Sequence, residues 1–439
     1  MNRDIRVRFA PSPTGHLHIG GLRAALFNYI FAKKNNGYFF LRIEDTDLER
    51  SKEEYTKAII DAFNWVNIKS DSELIYQSKR LDIYKKKIKE MLENGSIYET
   101  EEADENGVLG KVIKCKVDKN LKEISFNDEI KGKISFSTDE IDDFIIVRSD
   151  GMPLYNLVVV IDDIEMEISH VIRGEEHLSN TPKQILLYNA LNAKIPKFAH
   201  LPLILGKDGK KLSKRDAATS VIDYKKEGFL PEALLSYLIR LGWSHNDKEI
   251  FTLDEMLKLF DLKNVNSSGA MFDMQKLFWT NNFFIKNLKS EEILTKMIDF
   301  SIIENNWLQN LELEKKLKFI NLYKNRVNSL LELKNLIENV CNNYKKDFIN
   351  EEEFLILKNK IFLIEDFYKK ITEKILNDEN LLKNFCKEIC IENNIDQSNL
   401  FKLLRFAILG ESSSPSIYSI INLLGFKETK KRLEYFLNS

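Results

Sequence analysis

Two short segments of this sequence combine glycines with imidazole or ammonium side chains, a composition suited to binding phosphate. The first, APSPTGHLHIGG at residues 10–21, carries His16 and His18 between a predicted strand and a predicted helix. Glycines let a nucleotide approach the backbone closely, and the free N–H groups at a helix start attract phosphate. Both histidines could donate hydrogen bonds to charge that develops on a transferred phosphate. A turn with two surface histidines is the alternative, but the flanking strand and helix favour a nucleotide site.

The second segment, GKDGKKLSKRD at residues 206–216, follows another predicted strand. It places Lys211 and Lys214 on a glycine-punctuated loop, which can close over a triphosphate and stabilise departing pyrophosphate. A solvated basic turn is the alternative for this segment taken alone. The sequence contains no GxxxxGK[ST] motif, so the predicted site differs from the phosphate loop of the common NTPases.

The elements around these segments predict an α/β domain. Alternating apolar residues indicate a strand at 5–9, a helical pattern runs on to Gly37, and a second strand follows at 39–43. Ligands bind such sheets at the carboxyl ends of the strands, where the histidine segment lies. The other predicted elements are strands at 169–173 and 200–205, a helix opened by Thr181 and Pro182, and, by β-branched propensity, a strand at 155–161.

The rest of the chain has a different character. Short alternating runs between about 95 and 150 predict a small insertion, and only helical patterns remain after Arg215. The clearest helices open at Pro231, at the Thr252–Glu255 capping box and at Ser414-Pro415, the last ending at Gly425. The predicted fold is therefore α/β, a doubly wound parallel-sheet (Rossmann-like) domain with an α+β insertion, followed by an all-α C-terminal half.

Composition narrows the class of protein. With 44% hydrophobic and 30% charged residues and a net charge of -2, the chain is globular, and bulk charge does not identify a nucleic-acid partner. Four cysteines without a CxxC pair indicate a reducing compartment. The N-terminus lacks the apolar region of a signal peptide, and no apolar run approaches the roughly 20 residues that span a bilayer. We therefore expect a cytoplasmic protein with no membrane partner.

Together, the two segments resemble the HIGH and KMSKS signatures of class I aminoacyl-tRNA synthetases. They read His18-Ile19-Gly20-Gly21 and Lys211-Leu212-Ser213-Lys214-Arg215, with Gly21 departing from the final histidine of the first signature. Longer strings are similar to glutamyl-tRNA synthetases of the bacterial type, from residue 3 to about 285: RFAPSPTG, LRIEDTD, YNLVVVIDD, HVIRGEEHLSNTPKQ and HLPLILGKDGKKLSKRD. The string LLRFAILGESSSPSIYSIINLLGF resembles the closing helices of that family.

The resemblance implies a ligase that joins L-glutamate to tRNA-Glu through a glutamyl-adenylate, with ATP as substrate and Mg²⁺ on its phosphates. His18, Lys211 and Lys214 are the expected catalytic residues. The implied ATP-binding residues are His18, Gly20, Glu176, Lys211 and Lys214. The implied glutamate-binding residues are Arg8, Ala10, Ser12, Glu44, Tyr155 and Arg173. An arginine such as Arg8 can hold a carboxylate in a bidentate fork, which glutamine would leave badly paired.

Several of these residues have a structural alternative. Glu44 could simply pair with Arg42, Arg173 could pair with Glu175, and Tyr155 could be a core residue. Single matches carry little weight against such alternatives, whereas the whole set at the family's spacing outweighs them.

The resemblance also implies a division of labour along the chain. The expected domains are a first catalytic half at 1–95, an acceptor-end-binding insertion at 96–150, a second catalytic half at 151–215, a helical stem-contact domain at 216–290 and an anticodon-binding domain at 291–439. Some family members bind structural zinc in the insertion, but here the matching place reads Ile97-Tyr98-Glu99 with only Cys115 nearby, so we predict no zinc. The family expectation is a monomer.

Other functions remain to be weighed. A glutaminyl-tRNA synthetase would carry β-barrels where helices are predicted here, and the short paralogue that glutamylates a tRNA base lacks the anticodon-binding part. A non-catalytic tRNA-binding homologue would not need the histidine and the signature lysines. A small-molecule nucleotidyltransferase could share the first signature but not the long helical half. A non-discriminating enzyme that also charges tRNA-Gln stays open.

Overall fold

A computed structural model describes residues 5–47, 49–103, 108–212, 220–342 and 352–438. The chain forms two compact units. The first comprises Met1–Lys225 and Pro231–Thr280, and the second comprises Lys226–Leu230 and Asn281–Ser439. Within the described ranges, no helix is both long enough and apolar enough to cross a bilayer.

The first unit contains all the described strands, and helices separate most of them outside the run from β4 to β8. The strands are β1 (Arg6–Phe9), β2 (Tyr38–Ile43), β3 (Ile75–Tyr76), β4 (Ile97–Ala103), β5 (Leu109–Cys115), β6 (Glu123–Asp128), β7 (Gly132–Ser137), β8 (Phe144–Val147), β9 (His170–Gly174), β10 (Lys197–Leu201), β11 (Ile204–Leu205) and β12 (Ala270–Met271). The helices up to the second unit are α1 (Ile19–Lys34), α2 (Glu53–Trp65), α3 (Leu81–Glu93), α4 (Tyr155–Glu165), α5 (Thr181–Ala190), α6 (Val221–Lys226), α7 (Pro231–Arg240), α8 (Leu253–Leu259) and α9 (Met274–Asn287).

Parallel strands form the centre of the first unit. β1, β2 and β3 pair in that order, and β9 pairs with β10, all in parallel. Ser169, just before β9, donates its backbone N–H to the Arg6 carbonyl of β1 at 2.9 Å, so the two groups of strands meet edge to edge. Central parallel strands are covered on both faces. Accordingly, Val7 and Arg8, on opposite faces of β1, are both buried.

The insertion adds antiparallel strands to this frame. β4, β5 and β8 form one antiparallel sheet, and the β6–β7 hairpin joins the parallel sheet through a β6–β10 pairing that matches Phe198 with Asp128. Cys115 is buried in this region. The predicted α+β insertion thus also supplies a strand next to the central sheet.

All the regular secondary structure described in the second unit is helical. Its helices are α10 (Ser290–Asp299), α11 (Leu313–Tyr323), α12 (Leu330–Asn342), α13 (Glu352–Leu357), α14 (Phe362–Lys370), α15 (Glu373–Asn377), α16 (Glu379–Glu392), α17 (Gln397–Leu409), α18 (Ile417–Leu424) and α19 (Phe426–Leu437). Each of the longer helices turns an apolar stripe inward, as the sequence periodicity predicted. Cys386 and Cys390 are buried on one face of α16, which is a packing role.

One sequence prediction is wrong in kind. Residues 155–161 were predicted as a strand from their β-branched run, but they form α4, which extends from Tyr155 to Glu165. Every residue from Leu157 to Asp163 is buried. Burial on all sides favours apolar residues whatever the backbone, and helix propensity is a weak preference that tertiary packing overrides.

Three other predictions are wrong in their boundaries. The predicted strand at 200–205 is two strands, β10 and β11, in different sheets, with Pro202 between them, because proline lacks the N–H that a continuing ladder needs. The cap of α5 is Asn180 rather than Thr181, whose hydroxyl has another role described below. The cap of α18 is Ser416, two residues beyond the predicted Ser414. The Thr252–Glu255 capping box is confirmed.

Candidate active site

The histidine segment leaves β1 and turns directly into α1. His18 is the N-cap residue of α1, and its Nδ1 accepts a hydrogen bond from the Gly21 N–H at 3.3 Å. A Cβ on Gly20 would lie 3.0 Å from the His18 ring, so a larger residue at this position would crowd the imidazole. Ile19, Gly20 and Gly21 of this helix start line the cavity described below, and the unpaired N–H groups of a helix start suit a phosphate.

The part of the lysine segment that the structure describes, residues 206–212, forms a tight hairpin after β11, which we call the lysine hairpin. Leu205 and Lys211 form an antiparallel bridge, the Leu212 N–H donates to the Ile204 carbonyl at 2.9 Å, and Gly209 takes the positive φ of 74° that the turn needs. Val221, just beyond this segment, donates its N–H to the Leu17 carbonyl at 2.8 Å. The chain following the lysine segment is therefore fastened to the histidine segment. Lys214 lies outside the described residues.

Both segments line one cavity of about 740 Å³ at the carboxyl ends of β1 and β9. The cavity lies entirely within the first unit. Each predicted site residue that the structure describes lines it: Arg8, Ala10, Ser12, His18, Gly20, Glu44, Tyr155, Arg173, Glu176 and Lys211. Residues about 200 positions apart in the sequence are thus brought to one site.

Arg8 belongs to a group of buried charged residues that we call the carboxylate cluster: Arg8, Arg42, Glu44, Asp162 and Asp163. Arg8 donates from Nε and Nη2 to the two Asp163 oxygens at 3.0 and 3.1 Å, and Arg42 donates from Nη1 to Asp163 at 2.7 Å. Arg42 also donates to Glu44 at 3.2 Å. The predicted pairing of Glu44 with Arg42 therefore exists, alongside the position of Glu44 on the cavity wall.

This geometry refines the expectation for Arg8. Asp163 occupies the edge of the guanidinium formed by Nε and Nη2, so only the edge formed by the two terminal nitrogens can face a substrate carboxylate. Burial alone would raise the pKa of Asp163, but Arg8 and Arg42 hold that pKa below its ordinary value. Burial raises the pKa of Glu44, against the opposing effect of Arg42 and Arg8. A further cation beside Glu44 would therefore stabilise its charged carboxylate.

Arg173 is held in a different way. Its Nε donates to His200 Nε2 at 3.1 Å and its Nη2 donates to the Thr181 hydroxyl at 2.9 Å, while the buried Nη1 has no partner among the described residues. Glu175, the alternative partner, instead pairs with Lys131 and accepts the Leu203 N–H. Burial lowers the pKa of Arg173. A buried guanidinium with an unused donor is suited to receive an anion.

His18 and Tyr155 both line the same cavity. Burial lowers the pKa of His18, with Glu176 opposing and Lys211 adding to the effect, so the ring is neutral at neutral pH and can donate from one nitrogen only. Tyr155 is 37% exposed at the start of α4, which argues against its alternative role as a core residue. The cavity wall partly removes the Tyr155 ring from water, and this desolvation, together with the nearby Glu44, raises the pKa of Tyr155, so its hydroxyl keeps its proton.

Some residues in the cavity wall or behind it were missed from the sequence. Tyr55 lines the cavity and packs edge-on against His16 at 5.1 Å, yet α2, which carries Tyr55, contains none of the strings that resemble the family. His177 also lines the cavity, and burial lowers its pKa to about 4. Asp163 and His200 lie inside strings that carried the resemblance, but nothing in the sequence indicated what they contact.

Among the described residues, no three His, Cys, Asp or Glu side chains converge as metal ligands. In the insertion, Cys115 stands opposite Ile97 in the β4–β5 ladder. The expectation of no zinc stays a prediction.

Comparison with known proteins defines the class. The family model described as "tRNA synthetases class I (E and Q), catalytic domain" matches residues 4–108 and 99–279. The family model described as "Anticodon binding domain" matches residues 287–437. A class I aminoacyl-tRNA synthetase catalytic domain is thus followed by an anticodon-binding domain, which confirms the predicted enzyme class and fold class.

Full-length relatives narrow the class further. The chain is 43% identical to glutamate–tRNA ligase 1 of Helicobacter pylori strain HPAG1, over 99% of each chain. It is 42% identical to glutamate–tRNA ligase 1 of Aliarcobacter butzleri strain RM4018, over 97% of each. The crystal structure of a glutamate tRNA ligase from Elizabethkingia meningosepticum CCUG26117, in complex with its amino acid, matches with a TM-score of 0.86 and 30% identity over 99% of each chain. The chain therefore belongs to the glutamate–tRNA ligase family.

Proposed function

We propose that this chain joins L-glutamate to tRNA-Glu through a glutamyl-adenylate, releasing pyrophosphate and then AMP. One observation carries the proposal: a single cavity is lined by the helix start at His18, by Lys211 of the lysine hairpin and by buried arginines that include Arg8 and Arg173. The first two are suited to phosphate and the arginines to carboxylate. The full-length similarity to glutamate–tRNA ligases supports the same substrate.

Glutamate offers three charges that this cavity can bind. The Arg173 Nη1 and the free edge of Arg8 would take carboxylate oxygens. Glu44, whose pKa is raised by burial, would receive the α-ammonium, which restores a cation beside a desolvated carboxylate. Ala10, Ser12 and Tyr155 line the wall nearby and complete the proposed amino-acid site. Glutamine would leave the arginine donors badly paired, which can support discrimination of about 10⁴ or more.

In the proposed reaction, the α-carboxylate of glutamate attacks the α-phosphate of ATP in line and expels pyrophosphate. His18 and Gly20 would lie beside the nucleotide, Glu176 on its adenosine side, and Lys211 and Lys214 along the phosphates. A hydroxyl of the terminal tRNA adenosine then attacks the mixed anhydride. No side-chain nucleophile is needed, because positioning and charge stabilisation supply the catalysis.

A magnesium–ATP complex fits this lining. With His18, Gly20 and Lys211 beside the nucleotide and Glu176 on its adenosine side, Mg²⁺ would be held mainly by phosphate oxygens and water. When bound, the ion neutralises the phosphates.

The domain roles are part of the proposal. We assign the catalytic halves to 1–95 and 151–215, the grip on the acceptor end to 96–150, the stem contact to 216–290 and anticodon recognition to 291–439. The family model for anticodon binding supports the last assignment. We propose a cytoplasmic monomer, in keeping with four cysteines that remain free thiols.

The test is ATP–pyrophosphate exchange with purified tRNA. Exchange should depend on glutamate and should appear when tRNA-Glu is added, whereas exchange driven better by glutamine would overturn the specificity. Lys211→Ala and Lys214→Ala should slow activation without weakening tRNA binding, and Lys85→Ala, an exposed lysine of α3, is the matched control. Charging tRNA-Glu and tRNA-Gln separately decides whether the enzyme is discriminating.

A further inference from the structure

Arg173 is oriented by three buried side chains, Asp128, His200 and Thr181, none of which lines the cavity. We propose that these three residues, the histidine relay, position the Arg173 guanidinium for the substrate carboxylate while leaving its positive charge unbalanced. This inference deepens the proposed function and rests on it. No ion pair to a described carboxylate holds Arg173, unlike Arg8.

The relay follows from strand register. Arg173 of β9 stands opposite His200 of β10, and Asp128, at the end of β6, is matched with Phe198 two residues before His200. Arg173, His200 and Asp128 therefore lie in a row on the adjacent strands β9, β10 and β6, and only Arg173 of these three lines the cavity. His200 is fully buried, and Asp128 is 2% exposed.

The hydrogen bonds fix the protonation state of His200. Because Arg173 donates from Nε to His200 Nε2, that nitrogen must be an acceptor. The proton is therefore on Nδ1, which donates to Asp128 at 2.6 Å. Thr181 accepts from Arg173 Nη2 and can donate its own proton to the same Nε2, at 3.2 Å. His200 and Thr181 thus hold the guanidinium directly, and Asp128 holds the His200 ring.

A neutral imidazole orients a cation without cancelling its charge. Burial lowers the pKa of His200, the Asp128 hydrogen bond opposes this, and Arg173 adds to the lowering. Asp128 is itself occupied, since its Oδ1 accepts the Ile130 and Lys131 N–H groups at 3.0 and 2.9 Å. The negative charge is thereby kept one ring away from Arg173, and the unpartnered Nη1 stays available for an anion.

The decisive variant is Asp128→Asn, which keeps the shape of the side chain but replaces the oxygen that faces His200 Nδ1 with an NH₂ donor. The asparagine oxygen must stay with the Ile130, Lys131 and His200 N–H groups that donate to Oδ1, so the amide NH₂ faces His200 Nδ1. That nitrogen then becomes an acceptor, the proton moves to Nε2, and a donor faces the Arg173 donor. We expect the KM for glutamate in tRNA charging to rise about 10- to 100-fold, with the KM for ATP within about twofold of wild type.

A second pair of variants tests the same contact in case Asp128→Asn folds poorly. Gln at position 200 can place its carbonyl oxygen where Nε2 accepts, whereas alanine cannot. His200→Gln should therefore keep a lower glutamate KM than His200→Ala. Asp71→Asn is the matched control, because Asp71 accepts the Phe39 N–H and pairs with Lys33 outside the cavity lining. Its glutamate KM should stay within about twofold of wild type.

A spectroscopic measurement separates positioning from loss of structure. The protein has six histidines, and long-range ¹H–¹⁵N spectra report the tautomer of each ring. His200 should be the Nδ1–H tautomer in the wild type and the Nε2–H tautomer in Asp128→Asn. A folded Asp128→Asn protein with an unchanged glutamate KM, parallel rises in the two KM values, or equal impairment of the two His200 variants would overturn the relay. An inert wild-type enzyme would instead overturn the proposed function.

Discussion

Arg8 and Arg173, the two arginines proposed to bind glutamate, are held in opposite ways. Arg8 sits in the carboxylate cluster, where Asp163 takes one edge of its guanidinium and Arg42, Glu44 and Asp162 complete a network of ion pairs. Arg173 is held by the two neutral members of the histidine relay, His200 and Thr181, and forms no ion pair within the described residues. The first arrangement stabilises the fold around a charge, and the second keeps a charge available for substrate.

The largest expected effect is on the stability of the carboxylate cluster. Asp163→Ala would leave Arg8 and Arg42 buried without the carboxylate they share. Breaking such a buried pair costs about 3–5 kcal/mol of folding free energy. Chemical denaturation should show this loss, whereas Asp128→Asn should cost only about 1–3 kcal/mol. Equal losses in the two variants would erase the distinction between the two arrangements.

The next effect is on catalysis at Arg173. Arg173→Lys should lower kcat/KM for glutamate about 100-fold, because an ammonium cannot keep both relay contacts and also reach the substrate. The melting temperature should fall less than in Arg8→Lys, since Arg173 loses buried hydrogen bonds but no ion pair. Arg8→Lys should lower both activity and melting temperature. Steady-state kinetics and thermal melts of the two variants test this difference. Equal losses of melting temperature in both variants would contradict it.

A smaller effect of mixed sign is expected at Glu44. Its pKa is raised in the folded protein, so the ionised form at pH 7 costs stability. Glu44→Gln should therefore raise the melting temperature slightly. The KM for glutamate should rise about tenfold as the ammonium loses its carboxylate. A variant that gains neither stability nor a higher KM would remove Glu44 from the amino-acid site.

The smallest effect concerns pH. The pKa of His200 lies below its ordinary value of about 6.5, so the stability it contributes is complete above pH 6.5 and declines as the pH falls below that value. His170 and His177, with pKa values lowered to about 4, act in the same direction between pH 6.5 and 4. Asp163, with its lowered pKa, contributes in a lower window that begins near pH 4. Melting curves from pH 7 to 4.5 should fall less steeply for His200→Gln than for the wild type.

Local patterns in the sequence were sufficient for much of the fold. The strand and helix around the histidine segment, the Thr252–Glu255 capping box and the helical second half all follow from periodicity and capping. Residues 155–161 did not, because a run buried on every side has no periodicity to distinguish a strand from a helix. Pro202 could have indicated the break between β10 and β11, since it cannot donate to a ladder.

The site was predictable where residue type determines the chemistry and unpredictable where partners determine it. Arg8, Arg173 and Glu44 were found through the resemblance, and all three line the cavity. Nothing in the sequence showed that Asp163 would occupy half of Arg8 or that His200 would orient Arg173. Those pairings join positions 155 and 27 residues apart, and only the packing of α4 and the β9–β10 register brings them together.

The central claim is that nucleotide and glutamate share the cavity between the histidine segment and the lysine hairpin. A crystal structure with a non-hydrolysable glutamyl-adenylate analogue tests it most directly. The adenosine should lie beside His18 and Gly20, with the side-chain carboxylate in contact with Arg173 Nη1 and the free edge of Arg8. An analogue bound elsewhere, or one whose carboxylate touches neither arginine, would contradict the account.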